Sequence, residues 1–113
     1  MPNIRQRLDL LYKDKYSFRI VSANEIDWIE AVGDYVNIHT AKKLYLTLQS
    51  LKHLEQELDP SRFIRIHRSS IVNLNAILEI EPWTSGRFKI HLKNRGQIII
   101  RRSGAARLKK FMI

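Results

Sequence analysis

The most chemically distinctive stretch of the sequence is FIRIHRSSIVNL, residues 63–74. Its first half alternates apolar and polar residues, as a strand with one buried face does, and a basic, hydroxyl-rich segment follows. Arginine at a strand end can donate two hydrogen bonds to guanine O6 and N7, and serine hydroxyls suit phosphate oxygens. The segment therefore predicts nucleic-acid contacts from His67, Arg68 and Ser69. The alternative is that His67 and Arg68 cap the strand end and bond local carbonyl groups.

A second basic cluster, Arg101-Arg102-Ser103, lies between the last predicted strand and the last predicted helix, SGAARLKKFM. We expect Ser103 to cap that helix, so that cationic side chains and free backbone N–H groups face the same anion. The cluster predicts a phosphate site, and the alternative is a solvated basic turn.

A third candidate is the segment GDYVN, residues 33–37, between two predicted strands. Asn37 could pair with an adenine edge, and Tyr35 could contact a phosphate or pack against a sugar. Asparagine and aspartate are also ordinary turn residues, so a purely structural role is equally open for both positions.

The charge distribution agrees with a polyanionic partner. Residues 1–59 hold 8 basic and 9 acidic residues, whereas residues 60–113 hold 12 basic and 2 acidic residues, and the net charge of the chain is +9. A basic excess confined to one part of the chain is typical of a nucleic-acid footprint. An anionic membrane is a weaker interpretation, because the basic residues fall in strands and turns rather than on one long amphipathic helix.

The elements that must position these residues are mostly strands. SFRIV, EIDWIEAV, YVNIHT and KLYLTL are rich in β-branched and aromatic residues, and residues 33–48 are expected to form a hairpin. Two sets of alternating residues predict one buried face: Val36 and Ile38 in the first strand of this hairpin, and Leu44, Leu46 and Leu48 in the second.

A helix follows, with Ser50 as its N-cap and Asp59-Pro60 as its end, since the residue before proline resists the α conformation. Strands FIRIH, SSIVNL and AILEIEP come next, then a hairpin of RFKIHL and QIIIR around Asn94-Arg95-Gly96. Trp28 is expected in the core and Trp83 on the surface. The order predicts one mainly β domain with short helices, a β-rich α+β fold.

At the N-terminus, apolar residues at helical spacing in IRQRLDLLYKDK predict a short amphipathic or linker helix over residues 4–15. We therefore divide the chain into an N-terminal helix or linker, residues 1–17, and a domain over residues 18–113.

Several classes of protein are disfavoured. The chain has no cysteine, which removes disulfides, thiol catalysis and cysteine-based zinc sites and agrees with a reducing cytoplasm. The four histidines are scattered without metal-ligand spacing, and no third group accompanies His67 and the neighbouring serines as a catalytic triad would need. We expect no enzyme activity, no cofactor, no metal and no membrane insertion.

From about Phe18 to Phe111 the chain resembles a LytTR-type DNA-binding domain, the output module of many bacterial response regulators. Three matches carry the resemblance: IDWIEAVGDYVNIHT as a first hairpin, FIRIHRSSIVNL as the most specific signature, and RFKIHLKNRGQIIIRRSGAARLKKF as a closing hairpin and basic helix.

The resemblance implies a LytTR-like sandwich of strands whose loops, rather than a recognition helix, enter successive major grooves of duplex DNA. It implies paired DNA repeats bound by two copies of the domain. Matched by motif position, the implied DNA contacts are the loop from Tyr35 to Asn37, Arg68, and Arg102.

The prediction from sequence is therefore specific binding of double-stranded DNA in transcriptional regulation, either as the output domain of a two-component response regulator or as a stand-alone regulator. The alternatives are a small basic RNA-binding protein, which would need several exposed aromatic rings, and a module that docks an acidic protein.

Overall fold

The computed structural model describes residues 9–13 and 18–111. Within these residues the chain forms ten strands and two α-helices. The strands are Asp9–Lys13 (β1), Phe18–Ser22 (β2), Ile26–Val32 (β3), Tyr35–Thr40 (β4), Leu44–Thr47 (β5), Phe63–His67 (β6), Ser70–Asn73 (β7), Ile77–Pro82 (β8), Phe88–Leu92 (β9) and Gln97–Ile100 (β10). The helices are Leu51–Glu57 (α1), between β5 and β6, and Arg102–Lys109 (α2), after β10.

The strands form three antiparallel sheets within the described residues. The central sheet has five strands in the order β5-β4-β3-β7-β6, a second sheet has the order β10-β9-β8, and β1 pairs with β2. Hairpins join most of the neighbouring strands, as the short, alternating, turn-bounded segments of the sequence predict, whereas β3 pairs with β7 across a long sequence separation. The mainly β fold with short helices is confirmed.

The two faces of the central sheet carry separate apolar clusters. On one face, Ile29 and its cross-strand partners Ile38 and Ile71 pack with residues of β2 and α1. On the other face, Val72 and Ile64 pack with buried residues of the β8–β10 sheet and of α2. Because both faces of β3, β7 and β6 are covered, these strands form the middle layer of the domain.

Helix α1 begins where its sequence predicts. The Ser50 side chain accepts a hydrogen bond from the backbone N–H of His53 at 3.0 Å, and Leu51 and Leu54 are buried against the central sheet. This cap satisfies a backbone donor that has no partner within the helix.

Trp83 is exposed as expected, whereas Trp28 is half-buried and stacks on His39 with 4.3 Å between ring centroids.

The predicted inward face of β5 is wrong. Leu44 and Leu46 are 47% and 51% exposed, whereas Tyr45 between them is 6% exposed. The cause is the register with β4, which places Tyr45 opposite the buried Ile38. Because side chains alternate between the two faces of a sheet, a partner strand decides which set is buried.

The predicted helix over residues 4–15 is wrong for residues 9–13, which form β1. This strand pairs antiparallel with β2, with Asp9 opposite Ser22 and Lys13 opposite Phe18. A short isolated helix is marginal in water, whereas a neighbouring strand offers partners for the backbone N–H and C=O groups. The rest of the predicted helix lies outside the described residues, and the boundary at residue 18 stays a prediction.

Candidate nucleic-acid interface

The turn between β6 and β7 is built on an irregular pairing of the two strands. Arg65 pairs with Ile71 and His67 pairs with Ser70, so β6 carries one extra residue, Ile66, between these pairs. A bulge of this kind increases the local twist and redirects the side chains that follow it. The turn at Arg68 and Ser69 thus leaves the sheet at an angle that a regular ladder would not give.

Two predicted site residues close this turn by bonding each other. His67 Nδ1 accepts a hydrogen bond from the Ser69 backbone N–H at 3.2 Å and lies 2.7 Å from Ser69 Oγ. Both residues are half-buried, whereas Arg68 between them is exposed. His67 thus has a local structural role, although it bonds an N–H and a hydroxyl group and not the carbonyl groups considered above, and Arg68 is the side chain that the turn presents to solvent.

A groove of about 350 Å³ runs from this turn to the edge strand β10. We call it the basic groove, and it is lined by His67, Ser69, Ser70, Arg87, Ile98, Ile99, Ile100 and Arg101. Two arginines stand on its rim and, within the described residues, none of the lining side chains is acidic. Hydroxyl groups beside unneutralised guanidinium groups suit the oxygens of a phosphate backbone.

The start of α2 differs from the prediction. The helix begins at Arg102, its N-cap residue is Arg101, and the cap makes no side-chain hydrogen bond. Ser103 is thus the second residue of the helix and not its cap. The backbone carbonyl of Arg101 accepts hydrogen bonds from Gly104 and Ala105, both at 3.1 Å, so the first turn closes on the backbone alone.

The side chains of this second cluster remain available to a ligand. Arg101, Arg102 and Ser103 are all exposed. Arg102 extends towards the loop before β9, where a Cβ added to Gly86 would lie 3.5 Å from Arg102 Nη2. Arg101 faces the basic groove, so the structure joins the second predicted cluster to the first.

The third predicted cluster is divided by the structure. Tyr35 is 53% exposed at the first position of β4, directly after the Gly33-Asp34 turn. Asn37 lies two residues further into the strand and is half-buried, and its Oδ1 is buried without a hydrogen-bond partner among the described residues. Pairing with adenine needs that oxygen as an acceptor, so Asn37 would have to change rotamer to read a base.

All three clusters lie at one end of the central sheet. The backbone N–H of Ala31, near the end of β3, donates to the Ser69 carbonyl at 2.8 Å. Tyr35 is paired with Val32 at the same end of β3. The β3–β4 and β6–β7 turns are therefore neighbours, and the start of α2 adjoins the β6–β7 turn through the basic groove, although the three segments are separated by more than thirty residues in sequence.

Arg87 is a candidate site residue that sequence reasoning missed. It precedes β9 and lines the basic groove opposite the β6–β7 turn. Its sequence context, SGRF, shows a loop followed by a strand and gives no indication of a ligand.

The described residues hold no group of three or more histidine, cysteine, aspartate or glutamate side chains that could bind a metal ion. Among the same residues, no helix is long and apolar enough to span a membrane. Two of the histidines are instead paired with glutamates at 2.8 Å, His39 with Glu30 and His91 with Glu81.

The fold and the basic groove define a β-rich domain with a basic end built from turns. A sequence model of the LytTr DNA-binding domain matches residues 16–113. The chain belongs to the LytTR family of DNA-binding domains.

Curated relatives and a solved structure agree with this assignment. The chain is 32% identical over 96 residues to the sensory transduction protein LytT of Bacillus anthracis, covering 85% of this chain and 39% of that protein. It is 32% identical over 101 residues to the transcriptional regulatory protein LytR of Staphylococcus aureus, covering 89% of this chain and 40% of that protein. The chain thus spans about two fifths of the relatives it matches.

A solved LytTr DNA-binding domain of a putative methyl-accepting/DNA response regulator from Bacillus cereus has the same fold. The two structures superpose with a TM-score of 0.82 at 25% sequence identity, covering 94% of this chain and 97% of that chain. The expected LytTR-like architecture is confirmed.

Proposed function

We propose that this domain binds double-stranded DNA in a sequence-dependent manner and acts in bacterial transcriptional regulation in the cytoplasm. It would serve as the output domain of a two-component response regulator or as a stand-alone regulator. The observation that carries the proposal is the exposed Arg68 on the β6–β7 turn, next to a basic groove without acidic lining. The names of its relatives, a sensory transduction protein and a transcriptional regulatory protein, support the regulatory part.

The shape of the surface supports contact through a DNA groove. The β6–β7 turn is the tip of two antiparallel strands, and the major groove of B-DNA admits an element of that width. Arg68 at the tip can then donate to guanine O6 and N7 while Arg87, Arg101 and Arg102 bind phosphates on either side. Base contacts supply the choice of sequence, and phosphate contacts supply most of the affinity.

The target is proposed to be a pair of repeats occupied by two copies of the domain, as the family resemblance implies. Two copies on one duplex double the number of phosphate contacts and set the spacing between the repeats.

The test is selection of bound duplexes from a random pool at about 150 mM salt, followed by sequencing. Enrichment of one motif, repeated at a fixed spacing, is the expected result. Retention of DNA without a motif would overturn the sequence-dependent part, and no retention would favour a protein partner for the basic surface.

A salt titration on the selected duplex tests the charge-driven part. If roughly five phosphates are neutralised, the logarithm of the affinity falls with the logarithm of the salt concentration with a slope of about −4 to −5. Single-stranded RNA of the same length serves as the competitor. Preferential displacement by that RNA would move the assignment to RNA binding.

A further inference from the structure

Arg65, one strand position before the bulge in β6, directs its guanidinium group at the backbone of the β6–β7 turn. Its Nε donates to the His67 carbonyl at 2.9 Å, and its Nη2 donates to the Arg68 carbonyl. Its Nη1 donates to Glu55 Oε1 at 2.9 Å. Each guanidinium nitrogen thus has a protein acceptor, so Arg65 is not a free cation for a phosphate group.

The two hydrogen bonds from Arg65 to carbonyl groups affect the direction of the Arg68 side chain. Successive carbonyl groups of His67 and Arg68 both turn towards one guanidinium group, which limits the rotation of the peptide units around Arg68. The neighbouring Ser69 carbonyl is held from the other side by the Ala31 N–H. With the turn backbone bonded on both sides, the Arg68 side chain leaves it on the solvent side.

Arg65 is itself held from two helices. Glu55 belongs to α1, which is anchored in the core by Leu54, and the Arg65 side chain is 23% exposed. From α2, Arg107 Nη1 donates to the Arg65 backbone carbonyl at 3.0 Å. Helix α1 thus holds the Arg65 side chain and helix α2 holds its backbone, which leaves the guanidinium group little freedom to move away from the turn.

We propose that Arg65 is a positioning residue for duplex recognition: it sets the conformation of the β6–β7 turn so that Arg68 meets the base edge in a fixed orientation. The inference rests on the proposed function, since it concerns the same surface. It assigns to Arg65 a role in the choice of sequence without any contact to DNA.

Lysine should not replace Arg65 in this role. The guanidinium group is a planar fork whose nitrogens bond three acceptors at once, whereas an ammonium group is a compact point charge on a flexible stem. In Arg65→Lys the ion pair with Glu55 can form again, but the two carbonyl groups cannot both be bonded from the same position. A variant that keeps the charge and loses the geometry therefore separates the two contributions.

The first experiment examines the free 113-residue chain by two-dimensional ¹H–¹⁵N spectroscopy. Arg65→Gln and Arg65→Lys should both shift or broaden the amide signals of residues 67–70, with core amides such as Ile29 and Ile90 unchanged. Arg62→Gln is the matched control, because Arg62 bonds Asn24 Oδ1 at 2.8 Å and makes no hydrogen bond to the turn. Unchanged turn signals in both Arg65 variants would overturn the inference.

The second experiment is a double-mutant cycle on the ratio of affinities for the selected duplex and a scrambled one. Arg65→Gln alone should lower that ratio about tenfold, and Arg65→Lys should restore only part of it. In an Arg68→Ala background the same Arg65 substitution should change the ratio less than about twofold, because the residue through which it acts is gone. Additive effects of the two substitutions would overturn the inference.

The two experiments separate this inference from the proposed function. If the wild-type chain shows no preference between duplexes, the proposed function fails, while the spectra of the free chain still show whether Arg65 orders the turn. If the wild-type chain discriminates and Arg65→Gln does so equally well, the proposed function stands and the positioning role is wrong.

Discussion

Gly104 of α2 lies against the backbone of Ile66 in β6, so closely that a Cβ at position 104 would be 2.3 Å from the Ile66 carbonyl oxygen. β6 is an edge strand of the central sheet, and α2 covers it. The contact depends on a residue without a side chain. It positions the helix whose N-cap, Arg101, and first residue, Arg102, form part of the candidate interface.

Replacing Gly104 by alanine should therefore destabilise the domain, although alanine favours helices by about 1 kcal/mol. The carbonyl that the new methyl group meets is backbone, so α2 must move, and we expect a net loss of about 1–3 kcal/mol in the free energy of unfolding. Urea denaturation measures it. Ser103→Ala, one residue away and exposed, is the control and should change stability by less than about 0.5 kcal/mol. Equal stability of the two variants would contradict the close contact.

Asn73 is a buried polar residue, 2% exposed, that joins two segments. Its Nδ2 donates to the Ile26 carbonyl at 2.8 Å, and its Oδ1 accepts from the Asn75 N–H at 3.0 Å. Asn73→Asp replaces the donor by an acceptor that faces a carbonyl oxygen. We therefore expect the free energy of unfolding to fall by at least about 2 kcal/mol at neutral pH. The loss should shrink in acid, where a protonated carboxyl group can donate again.

The comparison for this prediction is Asn75→Asp, because the side chain of Asn75 is exposed. The free energy of unfolding of that variant, measured by the same urea denaturation, should lie within about 0.5 kcal/mol of the wild-type value. A similar loss in both variants would show that the added charge, and not the lost hydrogen bond, is responsible.

The pKa of Asp27 should lie above the ordinary value for an aspartate, and the pKa of Asp59 should lie below it. Burial raises the pKa of Asp27 above 3.8, against the hydrogen bond from Asn94 and the attraction of His39. Hydrogen bonds from the Ser61 backbone N–H and hydroxyl group lower the pKa of Asp59 below 3.8. Carboxyl ¹³C chemical shifts followed through a pH titration measure both midpoints, and the reverse order would contradict the structure.

The same shifts have opposite effects on stability. Because the folded state lowers the pKa of Asp59, the ionised carboxylate stabilises the fold above its unfolded pKa, and this contribution is lost as the pH falls through the folded value. Asp27 has a raised pKa, so its contribution favours the folded state in acid and declines as the pH rises through the interval between the unfolded and folded values.

Arg68→Ala should reduce the choice of sequence more than the affinity for DNA in general. Its side chain is exposed on the turn, and a lost bidentate contact to guanine costs about 1–3 kcal/mol of discrimination. Affinities for the selected and scrambled duplexes, measured by fluorescence anisotropy at one salt concentration, give the value. Equal weakening on both duplexes would make Arg68 a phosphate contact.

Arg87→Ala should lower the affinity for the selected and scrambled duplexes alike. It should also reduce the slope of log affinity against log salt concentration by about one unit, as expected for a lost phosphate contact. Arg95→Ala is the control, since Arg95 lies in the β9–β10 turn, at the opposite end of β10 from Arg101. A slope that changes equally in both variants would show that the basic groove is not where Arg87 acts.

Local patterns predicted much of the fold. Ser50 and the leucines that follow it define α1, and alternation of apolar residues defines β4, β6 and β9. These features depend on neighbours within a few residues, which the sequence displays directly. The same holds for the β6–β7 turn, where a basic and hydroxyl-rich segment interrupts an apolar alternation.

Long-range pairing between strands decided the features that local patterns did not predict. β5 and β1 carry patterns that fit more than one structure, and only their registers with β4 and β2 select one. The enclosure of the Asn37 side-chain oxygen likewise depends on neighbouring strands that the segment GDYVN does not show.

By itself, the sequence determined the class of the protein: a basic, cysteine-free, strand-rich domain with an arginine and serine segment at a strand end. The tertiary structure decided which residues share a surface, because Ser69, Arg87 and Arg101 become neighbours only when two sheets pack together. It also placed the Arg65 guanidinium group against the carbonyl groups of the turn. The physical reason is that side-chain alternation and charge are local properties, whereas contacts between sheets depend on how the whole core packs.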